Sequence, residues 1–184
     1  MPISSKSLQE HIERRDLVSI HRAIPDSHSI QGFVLACSKN LILLQYVYDF
    51  RLDGFRLLRR RDITELKAGD TDCFQRQLLV ADGVLEQVDF GFRTPIQSYD
   101  SFLASLSSDE IVIVEAEASE PTEFLIGSVS HVDRRTATIR HFSGVARFFE
   151  PPISIPTAQI TDCQIRNSYT SSYQRHFERI KQSQ

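Results

Sequence analysis

Ile30-Gln31-Gly32-Phe33-Val34 leads into a short polar break, Ser38-Lys39-Asn40, and then into the apolar run Leu41-Ile42-Leu43-Leu44. The same order of residue types returns later, where Leu125-Ile126-Gly127-Ser128-Val129 passes through Asp133-Arg134-Arg135 to Thr136-Ala137-Thr138-Ile139. Two further matches keep step: Asp62-Ile63-Thr64-Glu65-Leu66 with Gln159-Ile160-Thr161-Asp162-Cys163, and Phe74-Gln75-Arg76 with Tyr173-Gln174-Arg175. The spacing between matched residues grows slowly along the chain, as small loop insertions produce. A repeat of this kind governs a whole architecture. It predicts a tandem duplication, with one unit at residues 1–90 and a second at 91–184, joined through the Gly- and Pro-containing stretch Asp89-Phe90-Gly91-Phe92-Arg93-Thr94-Pro95.

Working outward, Ser5 to Ile12 and Ser98 to Leu106 hold the same place in their units. Both open on a serine suited to capping, and both carry apolar residues at helical spacing, Leu8 and Ile12 in one, Phe102, Leu103 and Leu106 in the other. Leu17 to Ile20, followed by a turn at Pro25-Asp26-Ser27, then Ile30 to Cys37, Leu41 to Val47, Phe55 to Leu58 and Ile63 to Leu66 read as five short strands, with Asp53-Gly54 as one of the breaks. Their counterparts are Ile111 to Ala116, Phe124 to Val132, Thr136 to Phe142, Ile153 to Ile155 and Gln159 to Ile165. Pro151, Pro152 and Pro156 mark the fourth of these as short or at an edge, because proline gives no donor to a ladder. Asp72 to Val80 and Ser172 to Ile180 read as closing helices with apolar faces Phe74, Leu78, Leu79 and Tyr173, Phe177, Ile180, the aromatic at the head of each packing on its own strands. Five short strands with tight connections curl into small barrels more readily than they stay open. The expected fold is mainly β with short helices, an α+β chain of two tandem SH3-like or Sm-like five-stranded barrels, each with an N-terminal and a closing helix.

Gly127, Val129 and Asp133 ahead of an apolar strand resemble the first signature of Sm-like proteins, and Gly32, Val34 and Ser38 ahead of Leu41-Ile42-Leu43 are a looser copy. The helix-then-five-strands order is similar to that fold as well. The family's second signature, an Arg-Gly pair before an apolar strand, has no counterpart: the first unit offers Asp53-Gly54 and the second Phe148-Phe149-Glu150-Pro151. The resemblance implies RNA as a ligand, contacted partly where that signature is missing. Gly32 to Leu66, particularly Leu43-Leu44-Gln45, Asp53-Gly54-Phe55 and Arg61-Asp62-Ile63, is also similar to a group of uncharacterised small bacterial proteins, a similarity that carries no activity.

The 184 residues are 41% hydrophobic and 24% charged, an ordinary globular composition far from that of a disordered chain. No apolar run is long enough to span a bilayer, and the start MPISSKSLQEHIERR has neither an apolar targeting segment nor a lipid-attachment cysteine. Cys37, Cys73 and Cys163 are odd in number and lack metal-ligand spacing, so they read as reduced. A cytoplasmic protein without membrane partner is expected.

The common phosphate, dinucleotide, zinc-protease and nucleophile-elbow motifs are missing, and the histidines are scattered. His131 and Asp133 share a strand face only through the two-residue period. Glu115, Glu117, Glu120 and Glu123 flank Pro121 and read as a solvated loop. No catalytic residue, metal or cofactor is expected. The basic residues carry the sharpest ligand hypothesis: Arg56, Arg59, Arg60 and Arg61 in the first unit and Arg134 and Arg135 in the second, with Tyr46, Tyr48, Phe50 and Phe55 available to stack bases. Against nucleic acid stand the net charge of −3 and the interleaved Asp49, Asp53 and Asp62. The favoured reading is a non-catalytic interaction or regulatory module that binds a protein partner or self-associates through barrel surfaces and strand edges. The alternatives are an RNA-binding protein of Sm-like type using the arginines and, more weakly, an enzyme with a cleft between units.

Overall fold

The structure is a computed structural model that describes residues 4–24 and 28–183, so the turn expected at Pro25-Asp26-Ser27 lies outside the described residues. The chain divides into two compact units, residues 1–97 and 98–184. The first runs α1 (Ser5–Arg14), β1 (Leu17–Arg22), β2 (Ile30–Cys37), β3 (Leu41–Tyr48), β4 (Arg51–Arg59), a 3₁₀ turn (Arg60–Asp62), β5 (Ile63–Lys67) and α2 (Asp70–Ala81). The second runs α3 (Tyr99–Ala104), β6 (Ile111–Ala116), β7 (Glu123–Val132), β8 (Thr136–His141), β9 (Ile153–Pro156), a 3₁₀ turn (Thr157–Gln159), β10 (Asp162–Ile165) and α4 (Ser168–Gln182).

The strands of the first unit lie in the order β5-β1-β2-β3-β4 and those of the second in the order β10-β6-β7-β8-β9, antiparallel throughout. Neither row closes: β5 does not pair with β4, nor β10 with β9. The expectation of two five-stranded barrels is therefore wrong, although the chain is mainly β. Closure is one way to remove apolar faces from water, and here other elements do that work. Leu8 of α1, fully buried, sits among Val18, Ile20, Ile30, Val34, Ile42, Leu44, Leu58 and Ile63, with Ile12 beside it. The opposite face of the same strands is covered by α2 and by residues 88–92, whose Phe90 meets Phe33 edge-on and whose Phe92 stacks on Phe55. Covered on both sides, β3 is buried almost along its length.

Local chemistry explains two departures from the sequence reading. The β3–β4 hairpin turns at Asp49 and Phe50, both at positive φ (47° and 60°), as a two-residue turn matched to strand twist requires. Asp53-Gly54 is not a break but a bulge opposite Tyr46, between the pairs Gln45↔Phe55 and Val47↔Leu52, and Gly54 supplies φ 73°. Of the apolar face expected on α2 only Leu79 is turned inward. Asp72 and Leu79 are buried, whereas Phe74 and Leu78 are exposed.

Asp72 explains that choice. Its carboxylate accepts hydrogen bonds from Ser19 Oγ (2.6 Å), Gln31 Nε2 (3.0 Å) and the Gly69 backbone N (2.9 Å), so α2 rests on a polar patch of β1 and β2. The paired residues Ser19 and Gln31 correspond to Ile113 and Ile126 of the second unit, and there Tyr173 and Phe177 of α4 do pack on Ile111, Ile113, Ile126 and Phe142. Removing the carboxylate strands three donors, one of them a helix-capping N–H. Asp72→Ala is expected to lower the stability of the first unit by about 3 kcal/mol, read as a fall in the urea midpoint. A change within about 0.5 kcal/mol would remove Asp72 as the anchor of α2.

Candidate functional site

Antiparallel strands put alternate connections at the same end of a sheet, so the β2–β3 and β4–β5 connections of the first unit meet. Arg60 N donates to Asn40 O at 2.8 Å, and Ser38 Oγ accepts from the N–H groups of Asn40 and Leu41. The Arg60 guanidinium then spans the junction, donating to Ser38 O (3.0 Å) and to Ser5 Oγ in the first turn of α1 (3.2 Å). Between these elements lies a cleft of about 650 Å³ lined by Ser5, Gln9, Ser38, Lys39, Arg60 and Arg61, with the half-buried Cys37 beside them.

Among the described residues, three cationic side chains and no carboxylate line this cleft. The first turn of α1 carries no acidic residue, and its N-cap Ser4 accepts from Ser7 N, so the positive end of the helix adds to the field. Such a lining is chemically suited to an oxyanion. Arg60 is preoriented by its two hydrogen bonds, and Lys39 and Arg61 stand exposed at the rim, Arg61 with its Nε 4.0 Å from Asp62 Oδ1; Ser38 Oγ is used within its own turn and Gln9 Nε2 donates to Glu13. Among the described residues, its lining holds no histidine.

The six arginines singled out from sequence separate into distinct environments. Arg56 lies with its guanidinium 5.0 Å from the centre of the Tyr46 ring. Burial raises the Tyr46 phenol above its usual range, against the opposing pull of Arg56. Arg59 is turned onto Asp62, at 2.5 Å, with both side chains largely buried. Arg60 and Arg61 are in the cleft. Tyr48 and Phe50 are exposed at the other end of the β3–β4 hairpin, about 25 Å away at the rise of a strand, and so do not join the cleft cations. Arg134 and Arg135 are exposed in the β7–β8 turn of the second unit.

That turn is the counterpart of Ser38-Lys39-Asn40. Thr157 N donates to Arg135 O at 2.8 Å, as Arg60 N does to Asn40 O, but the partner turn Thr157-Ala158-Gln159 carries no charge. Asp133 takes the place of Ser38: its carboxylate accepts from Arg135 N (2.7 Å), Thr136 N (2.8 Å) and Thr136 Oγ1 (2.8 Å). Asp133 is thus committed to its own turn and is not the partner of a catalytic His131. The Arg135 N–H first, then Thr136, hold its carboxyl below the ordinary value of 3.8. A depressed carboxylate stabilises the turn above the unfolded value and loses that contribution as pH falls through the folded one. Amide protection at Arg135 and Thr136, corrected for intrinsic exchange, is expected to fall below pH 3.8, while Asn40 and Leu41, held by a hydroxyl that does not titrate, keep theirs. Equal behaviour of the two turns would refute the assignment.

Glu115 and Glu117 are not in a solvated loop. Both are half-buried, accepting from Gln164 Nε2 (2.6 Å) and Thr161 Oγ1 (2.7 Å). Among the described residues no group of three or more His, Cys, Asp or Glu side chains is placed to hold a metal ion, and no helix is long and apolar enough to cross a membrane. Lys39, Ser5, Ser38 and Gln9 were missed from sequence. The signal that finds them is strand parity, which brings Ser38-Lys39-Asn40 to the end where Arg60 and Arg61 stand. No family model, curated protein or solved structure matches the chain.

Proposed function

We propose that the protein is a non-catalytic binding module whose first unit holds a phosphate-bearing chain, single-stranded RNA in the first instance, in the Lys39–Arg60–Arg61 cleft. One observation carries this reading: three cations and the positive end of α1 converge on one cleft that, among the described residues, is lined by no carboxylate. A net charge of −3 argues against broad contact with a phosphate backbone, so the contact is local and modest in affinity. The Ser5 hydroxyl and the Gln9 amide oxygen are groups of the kind that read a ribose 2′-OH, which favours RNA over DNA. The free cysteines suit a reducing compartment, and the cytoplasm is the proposed location.

The test is a fluorescence-anisotropy titration of intact protein against labelled single-stranded RNA and DNA at low and at physiological salt. RNA binding on the order of 1–100 μM, weakening with salt and exceeding DNA binding, is expected. No anisotropy change with RNA at low salt overturns the reading. A second reading, engagement of a protein, is favoured by Phe74, Leu78 and Val80, three apolar side chains exposed on α2.

A further inference from the structure

Helices α2 and α4 close equivalent units, and the match of Phe74-Gln75-Arg76 with Tyr173-Gln174-Arg175 sets Leu78 level with Phe177. In the second unit Tyr173 and Phe177 both pack on the sheet, against Ile111, Ile113, Ile126 and Phe142. In the first unit Asp72 and Gln75 hold the inner side of α2 to Ser19 and Gln31, so the equivalent Phe74 and Leu78 face water, 59% and 36% exposed. The positions that α4 turns to solvent, Ser172, His176 and Arg179, are polar or charged, as on an ordinary solvated face. Their counterparts on α2 are Cys73, Gln77 and Val80, which are exposed as well. From Cys73 to Ala81 the exposed side chains are Cys73, Phe74, Gln77, Leu78, Val80 and Ala81, and none of them is charged.

The stripe is also symmetric about its one polar member. Phe74 and Val80 lie three residues to either side of Gln77, Cys73 and Ala81 four residues to either side, so large apolar and small side chains recur in the same order when the helix is read backwards. At 3.6 residues per turn these positions flank Gln77 at matching angles, which makes the face self-complementary about a two-fold axis at Gln77. We propose that α2 pairs antiparallel with α2 of a second copy of this chain. Phe74 of one copy enters the gap between Leu78 and Ala81 of the other, Val80 lies beside the other copy's Cys73, and the two Gln77 amides meet at the axis, where each can donate and accept. Asp70 selects the direction: it is exposed, two turns before Gln77 and in line with the stripe. A parallel pair sets the two Asp70 carboxylates side by side, whereas the antiparallel pair separates them by about 21 Å at the helical rise and opposes the helix dipoles. One helix face buries less than the roughly 800 Å² per partner of a standard interface, so the pair is reversible, with a dissociation constant on the order of 10–100 μM. The inference rests on the protein reading of α2, for which it names the partner, and is independent of the RNA cleft.

The test is sedimentation velocity of the intact protein under reducing conditions, from well below to well above that concentration range. The mass is expected to rise from that of one chain towards that of two. Phe74→Asp, at an exposed position, is expected to weaken dimerisation by about 10-fold or more while the thermal midpoint and the RNA affinity stay as they are. Val80→Cys is expected to give a covalent dimer under mild oxidation, through Cys73 of the other copy, and Cys73→Ser in the same chain is expected to abolish it. The mass of one chain at every concentration overturns the choice of a second copy and leaves α2 as a face for a different protein. Dimerisation that Phe74→Asp leaves untouched overturns the proposal by assigning the contact to another surface. A covalent dimer formed by Cys73 in the native protein would show a parallel pair and overturn the assigned direction.

Discussion

Gly127→Ala is expected to destabilise the second unit by about 3 kcal/mol, the upper end of what overpacking costs. A methyl group there would lie 2.2 Å from Arg140 O, 2.7 Å from Arg140 C and 3.0 Å from His141 Cα. All three are backbone atoms of β8, which is bonded to β7 on one side and β9 on the other, so no side-chain rotation relieves the clash. The equivalent Gly32→Ala meets Gln45 O at 2.5 Å but its next neighbours only at 3.3 and 3.4 Å, and is expected to cost less, about 2 kcal/mol. Neither glycine is needed for its backbone angles; each is needed because two strands approach closely. Urea unfolding followed through amide signals of β6 to β8 and of β1 to β3 reads the two units separately. Both variants within about 0.5 kcal/mol of the native protein would show that the close approach is not a constraint.

These two glycines were the anchor of the sequence reading, and their legibility has a physical cause. Each lies just before a register shift in its strand, between Val34 and Ala36 in β2 and between Val129 and His131 in β7, so a small residue, a bulge and a capped turn recur together. Such local requirements leave a trace in residue types. Closure does not, because strand count and strand length are the same whether a sheet curls shut or is covered by helices. The near-continuous burial of Leu41 to Gln45 is the mark of a strand covered on both faces, and a barrel with a solvated outside does not produce it. The α2 face was misread for a related reason. Periodicity assigns Phe74 and Leu78 inward, but the surface that receives α2 is Ser19 and Gln31, and polar residues, Asp72 with Gln75, satisfy it.

The site was half legible on the same terms. An arginine run is visible in any sequence, but which members are available depends on partners several residues away. Asp62 takes Arg59 and the Tyr46 ring faces Arg56. Lys39 gave no signal of its own, because its importance comes from the end of the sheet at which it stands.

That difference between available and committed cations sets the second large expected effect. Lys39→Ala/Arg61→Ala removes the two exposed cations of the cleft and disturbs no hydrogen bond that holds the fold, so it is expected to weaken RNA binding on the order of 10- to 100-fold with unchanged stability. Three neutralised phosphates predict a slope of log K against log salt of about −2 for a single strand, and the double variant is expected to flatten it to about −0.7. Arg60→Ala differs in kind, because it also cuts the links to Ser38 O and Ser5 Oγ, and it is expected to lower both affinity and the stability of α1. Arg59→Ala is the opposite control: its guanidinium is spent on Asp62, so stability falls while affinity and salt slope stay. If Lys39→Ala/Arg61→Ala leaves slope and affinity untouched, the polymer is held elsewhere and the cleft loses its assigned role. If Arg59→Ala flattens the slope as much as Arg61→Ala, the arginines act as an undivided basic patch, and the geometry that separates them has no functional meaning.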